Sequence, residues 1–262
     1  MPINPEEACK KIERLGSYID HYEQRERLLR QGIGANVDKK ADFAVMSGCN
    51  PLFSLTAVKS FVDLLHHFNV NYTFISKEVC CGRPIAEGMF YQKADTKQKK
   101  QYDDFIRKSL ENNVRQAKEL GAKTVINICP GCNMTWNIYA KGQGLDIIYH
   151  TEFLTRIIDK AKLDLDIDFY EGCHKLHKLE PESLRHAEGS GHELLSRIKG
   201  LKYRVISDGL CCRSSADKIL SRVKSGTLVT PSQCCYSILK AAAPKGKPEV
   251  KFLAEVLREA VE

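Results

Sequence analysis

The chain has 262 residues, 43% of them hydrophobic, which is enough for one large or two ordinary domains with real cores. Its 40 Lys and Arg outnumber 33 Asp and Glu, a formal charge of +7, but no basic run is interleaved with aromatics, so a nucleic-acid surface is not expected. No apolar run reaches the roughly 18 residues of a membrane span, and the start, Met1-Pro2-Ile3-Asn4-Pro5-Glu6, lacks the basic-then-apolar pattern of a signal peptide, so the cytoplasm is the expected location.

Eleven cysteines in that compartment do not read as a disulfide framework, because cytosolic thiols stay reduced and the total is odd. Metal or redox chemistry is the better reading. The excess positive charge could offset thiolates or suit an anionic partner or substrate.

In chain order, residues 5–31 read as one surface helix, with apolar positions at Ala8, Ile12, Leu15, Ile19, Tyr22 and Leu29 and a stop at Gly32. Cys9 lies on it as an ordinary small residue. A strand over Phe43–Ser47 delivers Gly48 and Cys49, and a helix from about Thr56 to Asn69 follows, with His66 and His67 as dipole-favoured residues at its end. The strand Tyr72–Ser76 leads into Cys80-Cys81-Gly82. After a polar loop around 90–100, a helix ends near Leu120, with Gly121 as its cap. The strand Thr124–Ile128 then delivers Cys129-Pro130-Gly131-Cys132. A short helix, a Gly142-Gln143-Gly144 turn, the strand Asp146–Tyr149 and a helix from about Glu152 to Lys162 complete the first half.

The second half repeats the first. A strand over Ile167–Tyr170 delivers Gly172-Cys173, as Phe43–Ser47 delivers Gly48-Cys49, and Tyr203, Ile206, Ser207 and Cys211 keep the mutual spacing of Tyr72, Ile75, Ser76 and Cys80. Cys235 precedes Glu255 by the same interval as Cys132 precedes Glu152. Cys235 is therefore the counterpart of Cys132, Ser232 that of Cys129, and Cys234 stands where the first half has Gly131.

These alternations predict an α/β chain of two tandem, pseudo-repeated Rossmann-like domains with parallel sheets, cysteines at the C-terminal ends of the strands and an N-terminal helix in front. The expected boundaries are 1–40 for the helical extension, 41–163 for the first domain and 164–262 for the second. Ligands of open α/β sheets collect beyond the strand ends, so Cys49, Cys80, Cys81, Cys129 and Cys132 could converge on one centre. Five thiolates are one more than a zinc ion or a cubic 4Fe-4S cluster takes. A closed zinc site with a spare thiol, simple packing, or a strained disulfide between Cys80 and Cys81 are the alternatives. His174 and His177, beside Cys173, could protonate a thiolate or replace a ligand, and Gly189-Ser190-Gly191 reads as a helix start and not as a nucleotide loop.

A lone Cys, then Cys-Cys-Gly, then Cys-Pro-Gly-Cys resembles the cysteine-rich CCG domain that occurs twice in the cluster-bearing catalytic subunit of heterodisulfide reductase and its relatives. It also occurs in subunits of glycolate, lactate, glycerol 3-phosphate and succinate oxidoreductases. The resemblance covers about residues 41–262; in the second half Arg213 replaces the glycine of the motif and Ser232 a cysteine. It implies an iron-sulfur catalytic subunit whose noncubane 4Fe-4S clusters reductively cleave, or form, a disulfide. By that resemblance Cys49, Cys80, Cys81, Cys129 and Cys132 would ligate one cluster. Cys173, Cys211, Cys212 and Cys235 would ligate a second, with Cys234 or the hydroxyl of Ser232 as a fifth ligand. The second site could instead hold a four-Cys cluster, a zinc or nothing.

The resemblance implies two protein partners in a heterodisulfide-reductase-like complex, a ferredoxin-like subunit that carries electrons and a flavoprotein subunit, together with a small thiol or disulfide substrate. The chain itself has neither a ferredoxin-type Cys-x-x-Cys-x-x-Cys run nor a flavin fingerprint. The corresponding subunit of a sulfur-oxidising complex, an electron-relay subunit of a hydroxyacid oxidoreductase and a zinc-bearing scaffold are the other readings.

Overall fold

The computed structural model describes residues 4–17, 24–49, 54–86, 93–172, 182–206 and 209–262. The chain divides into two compact units, Met1–Leu52 with Asn71–Ile148, and Phe53–Val70 with Tyr149–Glu262.

The first unit opens with helix α1 (Pro5–Leu15), which starts at Asn4, whose side chain accepts from the N–H of Glu6, with Pro5 in the first turn. Pro5, Ala8 and Ile12 are its buried positions. The single helix expected over 5–31 is broken at Gly16, which takes the left-handed conformation at φ +73°. Glycine enters that region without a Cβ clash, so the chain turns away there. A second piece, α2 (Arg25–Arg27), runs into a π-helical turn over Leu28–Gly32, which ends at the glycine expected to stop it.

Strands β1 (Phe43–Met46), β2 (Tyr72–Phe74), β3 (Thr124–Asn127) and β4 (Asp146–Tyr149) form a sheet in the order β2-β1-β3-β4, with β1 parallel to both β2 and β3. Ala44, Val45, Met46, Phe74, Val125 and Ile126 are fully buried, each larger side chain contributing about 1.5–3 kcal/mol. The short helix α4 (Arg83–Ala86) follows the Cys80-Cys81 loop. Helix α5 (Thr96–Glu119) begins inside the loop expected around 90–100, because Asp95 and Gln98 cap it reciprocally: Asp95 Oδ1 accepts from the Gln98 N–H at 2.8 Å, and Gln98 Oε1 from the Asp95 N–H at 3.2 Å. Helix α6 (Pro130–Tyr139) starts within the Cys-Pro-Gly-Cys run, with Cys129 as its N-cap residue and proline in its first turn.

The second unit contains α3 (Leu55–His67), which buries Val58, Phe61, Val62 and Leu65 and closes on the exposed His66 and His67. Helix α7 (His150–Ile157) replaces the expected helix over 152–162. The Glu152 carboxylate accepts from the Tyr149 N–H at 2.8 Å and sets the start; the Arg197 guanidinium donates to the carbonyls of Thr155 and Ile158 at the end. Ala161–Lys162, expected as helix, is instead strand β5, paired parallel with β7 (Ile198–Lys199). Strands β6 (Asp166–Phe169), β8 (Lys202–Val205), β9 (Thr227–Thr230) and β10 (Glu249–Phe252) form a sheet in the order β8-β6-β9-β10. Helix α8 (Glu182–Ser196) carries Gly189-Ser190-Gly191 in its interior and not at its start; a Cβ on Gly191 would lie 3.1 Å from the Phe169 ring, so this glycine permits close packing. Helices α9 (Cys212–Leu220), α10 (Gln233–Ala242) and α11 (Leu253–Val261) complete the unit.

The chain is thus α/β, with two Rossmann-like repeats and parallel sheets, and strand register supplies a second check on the duplication. Val45 faces Phe74 and Ile126; Phe169 faces Val205 and Val229. Phe74 precedes Cys80 by six positions and Val205 precedes Cys211 by six; Ile126 precedes Cys132 by six and Val229 precedes Cys235 by six. The Glu255 carboxylate accepts from the Phe252 N–H at 2.7 Å, repeating the Glu152 cap. Within the second unit, helices from the two repeats pack together: α3 on α11, and α7 on α8.

Candidate metal centre

In the first repeat all five cysteines come to the C-terminal edge of one sheet and all are buried: Cys49 beyond β1, Cys80 and Cys81 beyond β2, Cys129 and Cys132 at the β3–α6 junction. Their sulfurs form a series of hydrogen-bonded neighbours, Cys49 to Cys80, Cys80 to Cys81, Cys81 to Cys132 and Cys132 to Cys129. Hydrogen bonds from Cys132 and then Cys80 hold the Cys81 thiol well below the usual range, and the Arg83 N–H assists. Cys80 is pushed well above it, first by its bond to Cys49 and then by that to Cys81; Cys132 is likewise raised, first through Cys129 and then Cys81. Cys81, whose pKa is lowered, therefore sits between two cysteines whose pKa is raised. Cys132 also lies in the first turn of α6, where the helix dipole favours negative charge.

Two glycines make room for this approach. Gly82 has φ +73°, and a Cβ there would meet Ile106 Cγ1 at 2.5 Å; a Cβ on Gly131 would lie 3.2 Å from Arg83 Cγ and 3.7 Å from Cys129 Sγ. Among the described residues, no group of three or more His, Cys, Asp or Glu closes about a point as the ligands of a single ion would. The donor set is instead an extended row of soft thiol sulfurs, a chemistry that fits iron-sulfur or other thiophilic metal ligation.

Sequence reasoning missed the scaffold under these loops. Arg25, a charged residue within the span expected as a surface helix, is 1% exposed. Its guanidinium donates to the Ile75 carbonyl at 3.1 Å, to the Ser47 hydroxyl and to Glu78 Oε2 at 2.5 Å. Glu78 in turn accepts from the N–H groups of Gly48 at 2.8 Å and Ser47 at 3.1 Å. Burial pushes its carboxyl up, and the Arg25 charge opposes that. The Asn113 side chain accepts from the Val79 N–H and donates to the Val79 carbonyl, both at 2.7 Å, and the Cys80 N–H donates to the Gly16 carbonyl at 2.8 Å. Cys9 is not isolated: it packs on an apolar cluster that includes Ala8, Ile12, Cys49 and Cys80.

In the second repeat the structure brings Cys212 and Cys235 together, Sγ to Sγ at 3.4 Å, both buried. Cys211 is half-buried as the N-cap residue of α9, and Cys234 is half-buried with its Sγ 3.9 Å from Gln233 Oε1. The Ser232 hydroxyl, a candidate ligand by sequence, accepts from the Cys235 N–H at 3.4 Å and so caps α10. Arg213, in place of the motif's glycine, is exposed. Cys173, His174 and His177 lie outside the described residues. Just before them, Glu171 Oε1 contacts His192 Nε2 at 2.6 Å and the Tyr170 hydroxyl donates to the Leu210 carbonyl at 2.6 Å.

No helix among the described residues is long and apolar enough to cross a membrane. A search of curated proteins finds no match to the chain. A family model described as a cysteine-rich domain, CCG, matches residues 43–137, less than half of the chain but the whole span from β1 to α6 that carries the five thiols. CCG domains are found in oxidoreductase-type subunits, and the many cysteines point to a metal or iron-sulfur cofactor. Over residues 43–137 the chain is thus similar to CCG cysteine-rich domains.

Proposed function

We propose that the chain is the iron-sulfur subunit of a heterodisulfide-reductase-like complex, acting on a disulfide or a related sulfur substrate. The row of five buried thiols in the CCG domain carries this reading, because it exceeds by one what a zinc ion or a cubic cluster takes. Cys49, Cys80, Cys81, Cys129 and Cys132 are the ligands of a noncubane 4Fe-4S cluster. Cys173, Cys211, Cys212 and Cys235, with Cys234 as a fifth candidate, are those of a second centre. Such a centre, when bound, supplies single electrons to a sulfur substrate.

The residues of this chain prepare the site for it. The lowered Cys81 thiol gives up its proton on loading more readily than the raised thiols of Cys80 and Cys132. Burial keeps bulk water from all five sulfurs. Electrons pass to or from a ferredoxin-like protein and a flavoprotein of the same complex.

The test is disulfide reduction by anaerobically purified chain with a reduced viologen dye as donor, together with EPR after oxidation in the presence of thiol. The reading predicts dye oxidation that depends on disulfide and an EPR signal that appears only when thiol is added. Turnover with a hydroxyacid and a flavoprotein, but not with disulfide, would overturn it.

A further inference from the structure

We infer that Arg25 is a positioning residue for the first thiol site, although it lies outside the matched domain and acts on the loops that carry the sulfurs, not on the sulfurs themselves. The inference rests on reading the five thiols as a ligand set. Cys49 sits at the end of one loop, and Cys80 and Cys81 at the end of another. Nothing in the backbone ladder joins the two loops beyond Val45 and Phe74, the last paired residues of β1 and β2.

Arg25 supplies the join. Its Nε holds the Ile75 carbonyl at 3.1 Å, one nitrogen of the fork holds the Ser47 hydroxyl, and the other holds Glu78 Oε2 at 2.5 Å. Glu78 then grips the N–H groups of Ser47 and Gly48, the two residues before Cys49, while itself standing two residues before Cys80. A planar guanidinium with donors in a fixed fork can serve three acceptors at once; an ammonium cannot hold that geometry. The pair is 1% and 4% exposed in its side chains, so it is a desolvated strut and not a surface ion pair.

The second repeat supports the assignment by contrast. Its counterparts of Ser47 and Glu78 are Glu171 and Gly209, so the same strut cannot form there. Among the described residues of the corresponding loops, the Tyr170 hydroxyl donates to the Leu210 carbonyl, a neutral bond.

The experiment is residue-resolved alkylation of the metal-free, reduced full chain, read by mass spectrometry, for wild type, Arg25→Lys and the double variant Arg25→Met/Glu78→Met. The double variant removes both buried charges together, so it folds where Arg25→Met alone, leaving Glu78 unpaired, can fail. The expected result is labelling at Cys49, Cys80 and Cys81 faster by about tenfold or more, with Cys129 and Cys132 within about twofold of wild type, as local opening of two loops requires. Arg25→Lys should fall between the two. Equal acceleration at all five cysteines, a double variant that does not fold, no acceleration, or full protection by lysine would each overturn the assignment. Metal uptake separates this from the functional reading: wild type that takes up zinc without sulfide refutes the iron-sulfur reading and leaves the labelling result standing.

Discussion

The two repeats share strand order, register and the glutamate cap of their last helix, yet they treat their cysteines differently. In the first, five thiols are buried in one row, two glycines admit them, and a buried ion pair locks the loops. In the second, Arg213 is exposed where the glycine would be, Ser232 caps a helix where a cysteine would be, and Cys211 and Cys234 are half-buried. A duplicated sheet preserves the placement of loops; what the loops can bind depends on a few residues at the edge that the sheet does not constrain.

The largest effect is expected from Cys81→Ala. It removes the sulfur at the middle of the row and should abolish metal uptake at the first site, whereas Cys234→Ala should lower total iron by much less; equal losses, measured by metal analysis of both variants, would erase the distinction between the repeats. Next is Ser232→Cys. Loss of the cap should cost about 0.5–2 kcal/mol in unfolding experiments, while metal per chain rises if the missing fifth thiol is what limits the second site. Gly82→Ala should destabilise the chain by about 1–3 kcal/mol, through a left-handed φ and a clash with Ile106. The matching change Arg213→Gly, at an exposed position, should stay within about 0.5–1 kcal/mol. Thermal melts of the two variants would settle this.

The smallest effects concern pH and fall at opposite ends for the two units. Burial, then Glu13 and Glu6, push the Cys9 thiol from 9.0 up to about 11. Its fold therefore favours the neutral thiol, a contribution fully present below about pH 9 and lost as pH rises through about 11. Cys9→Ala should flatten that alkaline loss in denaturant midpoints. Burial raises the Asp168 carboxyl in the second unit, but the N–H groups of Ser225 and Lys224, the Ser225 hydroxyl and Arg204 outweigh it and leave it below its ordinary 3.8. That contribution is present above 3.8 and lost as pH falls through the lowered value, so Asp168→Asn should blunt the acid loss.

Much of this fold is legible in the residues alone, because strands are short apolar runs and because a repeat offers each assignment a second time. Spacing from Tyr72 to Cys80 and from Tyr203 to Cys211 matches the register the strands adopt. The break at Gly16 is harder to see, since a lone glycine in an amphipathic pattern is often tolerated and its partner, the Cys80 N–H, is far away in sequence. Arg25 and Glu78 resist pairing for the same reason: a charge at helical spacing looks solvated until the chain brings its counter-charge. Strand β5 is two residues long and continues a helical pattern, so only its pairing with β7 reveals it. The cap Asp95-x-x-Gln98 is a signal the sequence does carry, and it moves the start of α5 into the expected loop.

The most direct measurement is iron, acid-labile sulfide and zinc per chain on protein purified without oxygen, for wild type and Cys81→Ala. The account predicts at least about four irons with matching sulfide and no zinc at the first site, lost in the variant. Zinc without sulfide in the wild type, or iron and sulfide unchanged by Cys81→Ala, would contradict it.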